Sequence, residues 1–108
     1  MSSSKDDESI DGEGNWESIA VEGDAYPPID FNTFVLSLST SVLMHLGEMA
    51  EPSGKASSEN LALARQTIDL LALLEEKTRG NLTGEEERLL TQMLFDLRMR
   101  FVKHAQRG

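Results

Sequence analysis

Two side chains in the middle of the sequence have a spacing that suits metal coordination. His45 and Glu48 are three residues apart, so on a helix the imidazole and the carboxylate face the same side and are able to bind one cation. The helical di-iron proteins, by contrast, use Glu-x-x-His in duplicate, with further glutamates from other helices. This sequence has one His-x-x-Glu pair in the reverse order. We therefore predict a packed or helix-end histidine, and His45 and Glu48 remain candidate metal ligands only in an alternative interpretation.

No arrangement of catalytic groups stands out. Asp69 lies four residues after Arg65, which is typical of an ion pair on the surface of a helix. The Ser and Thr residues between 33 and 41 have no acid or histidine among them that would activate a hydroxyl group, and no glycine-rich loop for phosphate is present. We expect no enzymatic activity and no cofactor. The alternative is a ligand or metal site enclosed by helices and formed by His45, Glu48 and Asp69.

The cationic residues are concentrated near the end of the chain. The segment DLRMRFVKHAQR contains Arg98, Arg100, Lys103 and Arg107, and a metal ion near His104 would be repelled by these charges. One basic helix end without interleaved aromatic residues is a poor nucleic-acid site in a strongly anionic protein. We expect these cations to complement the end of their own helix and the acidic part of the chain, and we predict no nucleic-acid partner.

The elements that must position these residues are predicted to be helices, since no segment has the alternation of a strand. Apolar residues recur instead at the period of about 3.6 residues that is typical of amphipathic helices. The predicted fold is all-α, with helices over about residues 31–49, 60–79 and 84–105.

Capping residues support these boundaries. Asp30 and Asn60 are suited to begin the first and second helices, and Gly80 follows the second. Thr83 and Glu86 have the spacing of a capping box before the third helix. Because so few residues separate the last two helices, we predict that they form an antiparallel hairpin.

The first helix contains the segment FNTFVLSLSTSVLMHLG, residues 31–47, which has no acidic or strongly basic side chain. A membrane span needs at least about 17 residues of this kind. Five of the seventeen residues, however, are Ser or Thr, and no basic flank or aromatic belt defines an orientation. We predict a helix buried on most of its sides by partner chains, with membrane association through the first helix as an alternative.

Apolar residues on the first and third helices exceed what three helices can bury among themselves. Soluble monomers rarely expose apolar patches beyond a few hundred Å², so we predict self-association, most simply as a two-fold dimer, and binding to an unidentified protein partner. Small residues on the first helix would allow close approach of two backbones. The predicted interface residues are Phe34, Leu36, Ser37, Ser41, Leu43, Phe95, Met99 and Val102.

The charge of the chain is concentrated at its beginning. Residues 1–28 contain eight acids and one base, whereas residues 29–108 contain eleven acids and nine bases. We predict that residues 1–28 form a disordered acidic arm and that residues 29–108 form one helical domain. The chain has no cysteine and its first residues have no apolar run typical of a secretory signal, so we expect a cytoplasmic protein.

Three segments of the sequence resemble a bacterial family catalogued as domain of unknown function 1844. They are PPIDFNTFVLSLSTSVLMHLGE, LARQTIDLLALLEEKTRGNLTGEEERLL and LFDLRMRFV, and the resemblance extends from about Pro27 to Val102. The family consists of short helical proteins, often with an acidic amino-terminal tail, so the resemblance implies a three-helix fold. It implies no activity and no catalytic residue. The loop EMAEPSGKASS differs from the family in being longer and richer in serine, and we expect it to be mobile.

Overall fold

The computed structural model describes residue 16 and residues 18–21, 28–50 and 59–107. It contains three α-helices, which we name α1 (Phe31–His45), α2 (Leu61–Lys77) and α3 (Gly84–Arg107). The predicted all-α fold of three helices is confirmed, and no strand occurs among the described residues. Most of the predicted disordered arm, and the central residues 51–58 of the loop predicted to be mobile, lie outside the described residues.

The helix starts follow the predicted capping residues. Asp30 Oδ1 accepts a hydrogen bond from the N–H of Thr33 at 2.8 Å. Asn60 Oδ1 accepts one from the N–H of Leu63 at 3.1 Å. Before α3 the capping box is complete, because the Thr83 N–H donates to Glu86 Oε1 at 2.9 Å and the Glu86 N–H donates to Thr83 Oγ1 at 3.1 Å. These bonds satisfy backbone donors that have no partner within the helix.

The end of α1 differs from the prediction, since the helix stops at His45 rather than near residue 49. The reason is Gly47, which has a φ of 78°, a left-handed conformation that other residues adopt at a cost. The Gly47 N–H donates to the Met44 C=O at 3.0 Å and the Glu48 N–H donates to the Leu43 C=O at 2.8 Å. This pair of bonds is the Schellman motif that terminates helices. The other boundaries shift by one or two residues, and α3 continues to Arg107.

Each helix contributes one narrow apolar seam to the core. The buried positions follow the spacing i, i+4, i+7 that places side chains on one helix face. Ser39, which continues the seam of α1, is also buried, and its hydroxyl group donates to the Val35 C=O at 2.9 Å. The apolar core residues are Val35, Val42, Leu46, Ala64, Ile68, Leu71, Leu90, Leu94 and Leu97.

Contacts between the helices define their order around the core. The Asn60 N–H donates to the His45 C=O at 2.6 Å, so the end of α1 lies beside the start of α2. Thr91 Oγ1, near the start of α3, donates to Glu75 Oε2, near the end of α2, at 3.2 Å. This contact is compatible with the predicted antiparallel hairpin of α2 and α3. Within residues 28–50 and 59–107, no helix combines the length and the apolar character needed to cross a membrane.

Candidate interaction surfaces

The most exposed large apolar side chain within the three helices is Phe95 of α3. Phe95 is 68% exposed, Met99 49% and Val102 45%, and their spacing of i, i+4, i+7 places them on one face. Leu94 and Leu97, which alternate with them in sequence, are buried. Helix α3 therefore has one apolar face inside the core and a second one in solvent. We call Phe95, Met99 and Val102 the α3 stripe.

The α3 stripe borders α2. Val102 lines a groove of about 390 Å³ between α2 and α3, together with Ile68 and Phe101, which provide its apolar surface. The remaining lining residues are Arg65, Asp69 and Arg98. Arg65 Nε lies 3.5 Å from Asp69 Oδ2 on the exposed surface, which is the pair expected from the sequence. Asp69 is therefore part of a surface groove rather than of an enclosed site.

The interface residues predicted on α1 fall on two flanks of that helix. Phe34 and Leu36 are exposed by 39% and 47%, but they are two residues apart and so point roughly 200° apart around the helix. Ser37 and Ser41 follow the Phe34 flank, and the Ser37 hydroxyl group donates to the Phe34 C=O at 2.8 Å. Leu43 follows the Leu36 flank and is partly buried against the core.

The Leu36 flank lies on the side of α1 that borders the first turns of α3. Asn32, one turn before Leu36, lines a shallow pocket with Arg88 and Leu89 of α3. The predicted interface residues thus occupy three separate regions of the bundle surface: the α3 stripe, the Phe34 flank and the Leu36 flank. The structure adds further exposed leucines on α2, namely Leu63, Leu70 and Leu73.

A polar cluster joins the end of α3 to both ends of the loop that connects α1 and α2. His104 Nε2 lies 2.7 Å from Glu48 Oε2, and His104 Nδ1 lies 2.8 Å from Glu59 Oε2. Arg100 Nη1 donates to Glu48 Oε1 at 2.7 Å, while its Nε donates to Asp96 Oδ2 at 2.8 Å. The His104 side chain is only 11% exposed. We call Glu48, Glu59, Arg100 and His104 the loop cluster.

The protonation of His104 decides which bonds the loop cluster makes. Both carboxylate contacts are hydrogen bonds only when both ring nitrogens carry a proton. Without its proton, Nδ1 is an acceptor for Arg107 Nη2, which also lies 2.8 Å away. Burial acts to raise the pKa of Glu48, but the hydrogen bonds and positive charges of His104 and Arg100 together outweigh it and hold the pKa below the usual value. Asp96 and Glu48 in turn raise the pKa of Arg100.

The candidate metal ligands His45 and Glu48 do not form the pair that their spacing in the sequence suggested. Glu48 bonds to His104 and Arg100 rather than to His45, and the His45 side chain is half-buried. No group of three or more His, Cys, Asp or Glu side chains among the described residues is arranged to hold a metal ion. His104, where the sequence argued against a metal ion, lies in the last turn of α3. Its partners were missed because they are 45 and 56 residues away in sequence.

A comparison with known protein families identifies the family of this chain. The model of the family described as domain of unknown function (DUF1844) matches residues 28–103, more than half of the chain. The chain belongs to this family. The DUF1844 match begins two residues before the Asp30 cap and ends within α3, so it covers both α1 flanks, the α3 stripe and the groove. His104 is the first residue beyond it. Comparisons with curated proteins and with solved structures gave no match.

Proposed function

We propose that the protein is a non-catalytic module that self-associates as a dimer through the α3 stripe and binds another protein through the flanks of α1. The observation that supports this most directly is the exposure of Phe95, at 68% of its surface. A phenylalanine side chain contributes about 1.5–3 kcal/mol when it leaves water. Aromatic residues and methionine are also enriched in protein–protein interfaces.

The geometry of α3 supports a contact between two copies. A two-fold dimer brings the same surface of each copy together, and a single helix stripe such as Phe95–Met99–Val102 pairs well with itself. A stable interface buries about 800 Å² on each partner. Three side chains supply only the centre of such an area, so the neighbouring surface of α2, including Leu73, must contribute to it.

The α1 flanks are proposed to serve a different contact. Leu36 lies on the side of α1 that carries Asn32, near the first turns of α3, whereas Val102 of the α3 stripe lies in the groove with α2. Ser37 and Ser41 leave room beside Phe34 for a partner backbone to approach closely. We therefore assign the α1 flanks to a second protein partner.

Sedimentation velocity over a range of protein concentrations tests self-association. We expect the wild-type chain to sediment as a dimer, and Phe95→Asp or Met99→Asp to sediment as a monomer with the helical content retained. Leu97→Asp places a charge in the core and is expected to lose helicity as well. Asn81→Asp adds the same charge at the exposed turn between α2 and α3 and serves as the control. A wild-type chain that remains monomeric at all concentrations would overturn the proposal.

A further inference from the structure

The groove between α2 and α3 combines an apolar surface with an unpaired cation. Ile68, Phe101 and Val102 line it, and Arg65 is paired with Asp69 at 3.5 Å. The guanidinium group of Arg98, also in the lining, makes no hydrogen bond or ion pair within residues 28–50 and 59–107. The groove therefore offers apolar contact area beside a guanidinium group that has no carboxylate of its own.

The beginning of the chain has the complementary chemistry. Residues 1–28 contain eight acids and one base, and Trp16, Ile19 and Val21 are placed among these acids. The Ile19 N–H donates to the Trp16 C=O at 3.4 Å, so these two side chains are one turn apart. All three apolar side chains are exposed by more than 60%, so each has surface that a contact with the groove would cover.

We propose that residues 16–21 of the same chain dock into the groove between α2 and α3. Trp16 and Ile19 would cover Phe101 and Val102, and the acidic residues around them would face Arg98. Arginine packs favourably on the face of an indole ring, and a carboxylate that reaches a partly desolvated guanidinium group gains more than it does in open solvent. The docked segment would also cover Val102, the end of the α3 stripe that adjoins the groove, and would leave Phe95 and Met99 for the contact between copies.

The length of the chain allows this contact to form within one molecule. Phe31 comes ten positions after Val21, and a segment of this length spans at most about 35 Å when extended. The groove is level with the end of α1, because Arg100 contacts Glu48 just beyond that helix. Helix α1 has 15 residues and is about 22 Å long, and neighbouring helix axes are about 10 Å apart. The tether is therefore long enough to cross this distance.

Intramolecular docking is favoured over docking on a second copy by this short connection. A short flexible tether gives its end an effective concentration of the order of millimolar, which exceeds the concentration of free protein in most assays. The charge component is screened by salt, because the Debye length falls from about 10 Å at 0.1 M to about 3 Å at 1 M ionic strength. Docking is therefore expected to weaken as the salt concentration rises.

Trp16 is the only tryptophan of the chain, so its fluorescence reports docking directly in the full-length protein. We expect emission at low salt that is shifted to shorter wavelength relative to a free indole, and loss of that shift at high salt. Arg98→Glu and Val102→Asp are each expected to remove the shift with unchanged helical content. Arg79→Glu makes the same charge change at an exposed position after α2 and is expected to leave the emission as in the wild type.

The outcomes separate this proposal from self-association. An emission shift that is independent of protein concentration and persists in Phe95→Asp supports docking within one chain. A shift that disappears on dilution would mean that the segment binds a second copy, and would overturn the proposal. Emission typical of a fully exposed indole at low salt, unchanged by Arg98→Glu and Val102→Asp, would overturn it as well.

Discussion

Replacing His104 by alanine tests whether the loop cluster stabilises the fold. The substitution removes the hydrogen bonds to Glu48 and Glu59, at 2.7 and 2.8 Å, and leaves both carboxylates without the imidazole. These bonds hold the last turn of α3 against both ends of the loop between α1 and α2. We therefore expect a loss of global stability rather than local fraying of α3.

The size of the effect follows from the burial of the three side chains. Hydrogen bonds to charged groups contribute about 1.5–3 kcal/mol when they are well buried, whereas exposed ion pairs contribute less than about 1 kcal/mol. The His104 side chain is 11% exposed, but Glu48 and Glu59 are 27% and 47% exposed. The loop cluster lies between the two cases, so we expect His104→Ala to lower the free energy of unfolding by about 1–2 kcal/mol.

The effect is expected to depend on pH with a defined sign. The pKa of Glu48 in the folded protein lies below its ordinary value of 4.5, so ionised Glu48 stabilises the fold above that pH. This contribution is lost as the pH falls through the lower, folded-state value. The difference in stability between the wild type and His104→Ala should therefore shrink on acidification below pH 4.5.

Urea denaturation followed by circular dichroism measures this difference in stability. An unchanged slope of the free energy of unfolding against urea concentration shows that both proteins undergo the same unfolding reaction. Lys103→Ala is the matched control, because it removes an exposed side chain from the adjacent position of α3. A double-mutant cycle with Glu48→Gln isolates the coupling between the two residues. Equal stability of His104→Ala and Lys103→Ala, or additive effects in the cycle, would refute the assignment of the loop cluster as a stabilising contact.

Two further substitutions test the fold. Gly47→Ala should lower the free energy of unfolding by about 1 kcal/mol, because the φ of 78° at this position is unfavourable for alanine. The added Cβ would come no closer than 3.8 Å to the Glu59 backbone, so no clash contributes. Thermal unfolding of the variant therefore measures the effect of the backbone conformation. Leu90→Ala removes a fully buried side chain and should lower the free energy of unfolding by about 2–5 kcal/mol. Leu70→Ala changes a side chain that is 46% exposed and should lower it by less than about 1 kcal/mol. Equal losses of stability for the two variants in chemical denaturation would show that the core is misassigned.

Helix starts were predictable because their chemistry is local in sequence. The capping box of Thr83 and Glu86 needs only two residues three positions apart, and both reciprocal bonds are present. The end of α1 was placed too late because the apolar pattern continues to Met49 beyond the helix. The left-handed Gly47 and its Schellman bonds stop the helix before that pattern ends, since backbone conformation outweighs apolar periodicity at this point.

The surfaces were predictable only in part. The surplus of apolar residues identified Phe95, Met99 and Val102 as candidate interface residues, and the structure places them in solvent. It could not show which flank of α1 borders which helix, because that depends on how the three helices close around the core. The loop cluster had no signal at all in the sequence, since it joins residues from three parts of the chain.

The distribution of exposed apolar residues argues that one dimer contact does not cover the whole apolar surface. A two-fold contact centred on Phe95 shields the α2 side of α3. Leu36 lies on a different helix, on the side of α1 that borders the first turns of α3, and we expect it to remain in solvent in such a dimer. A charge introduced at Leu36 should therefore leave sedimentation as a dimer unchanged while it weakens binding to another protein. If Leu36→Asp instead produced a monomer, α1 rather than α3 would form the contact between copies.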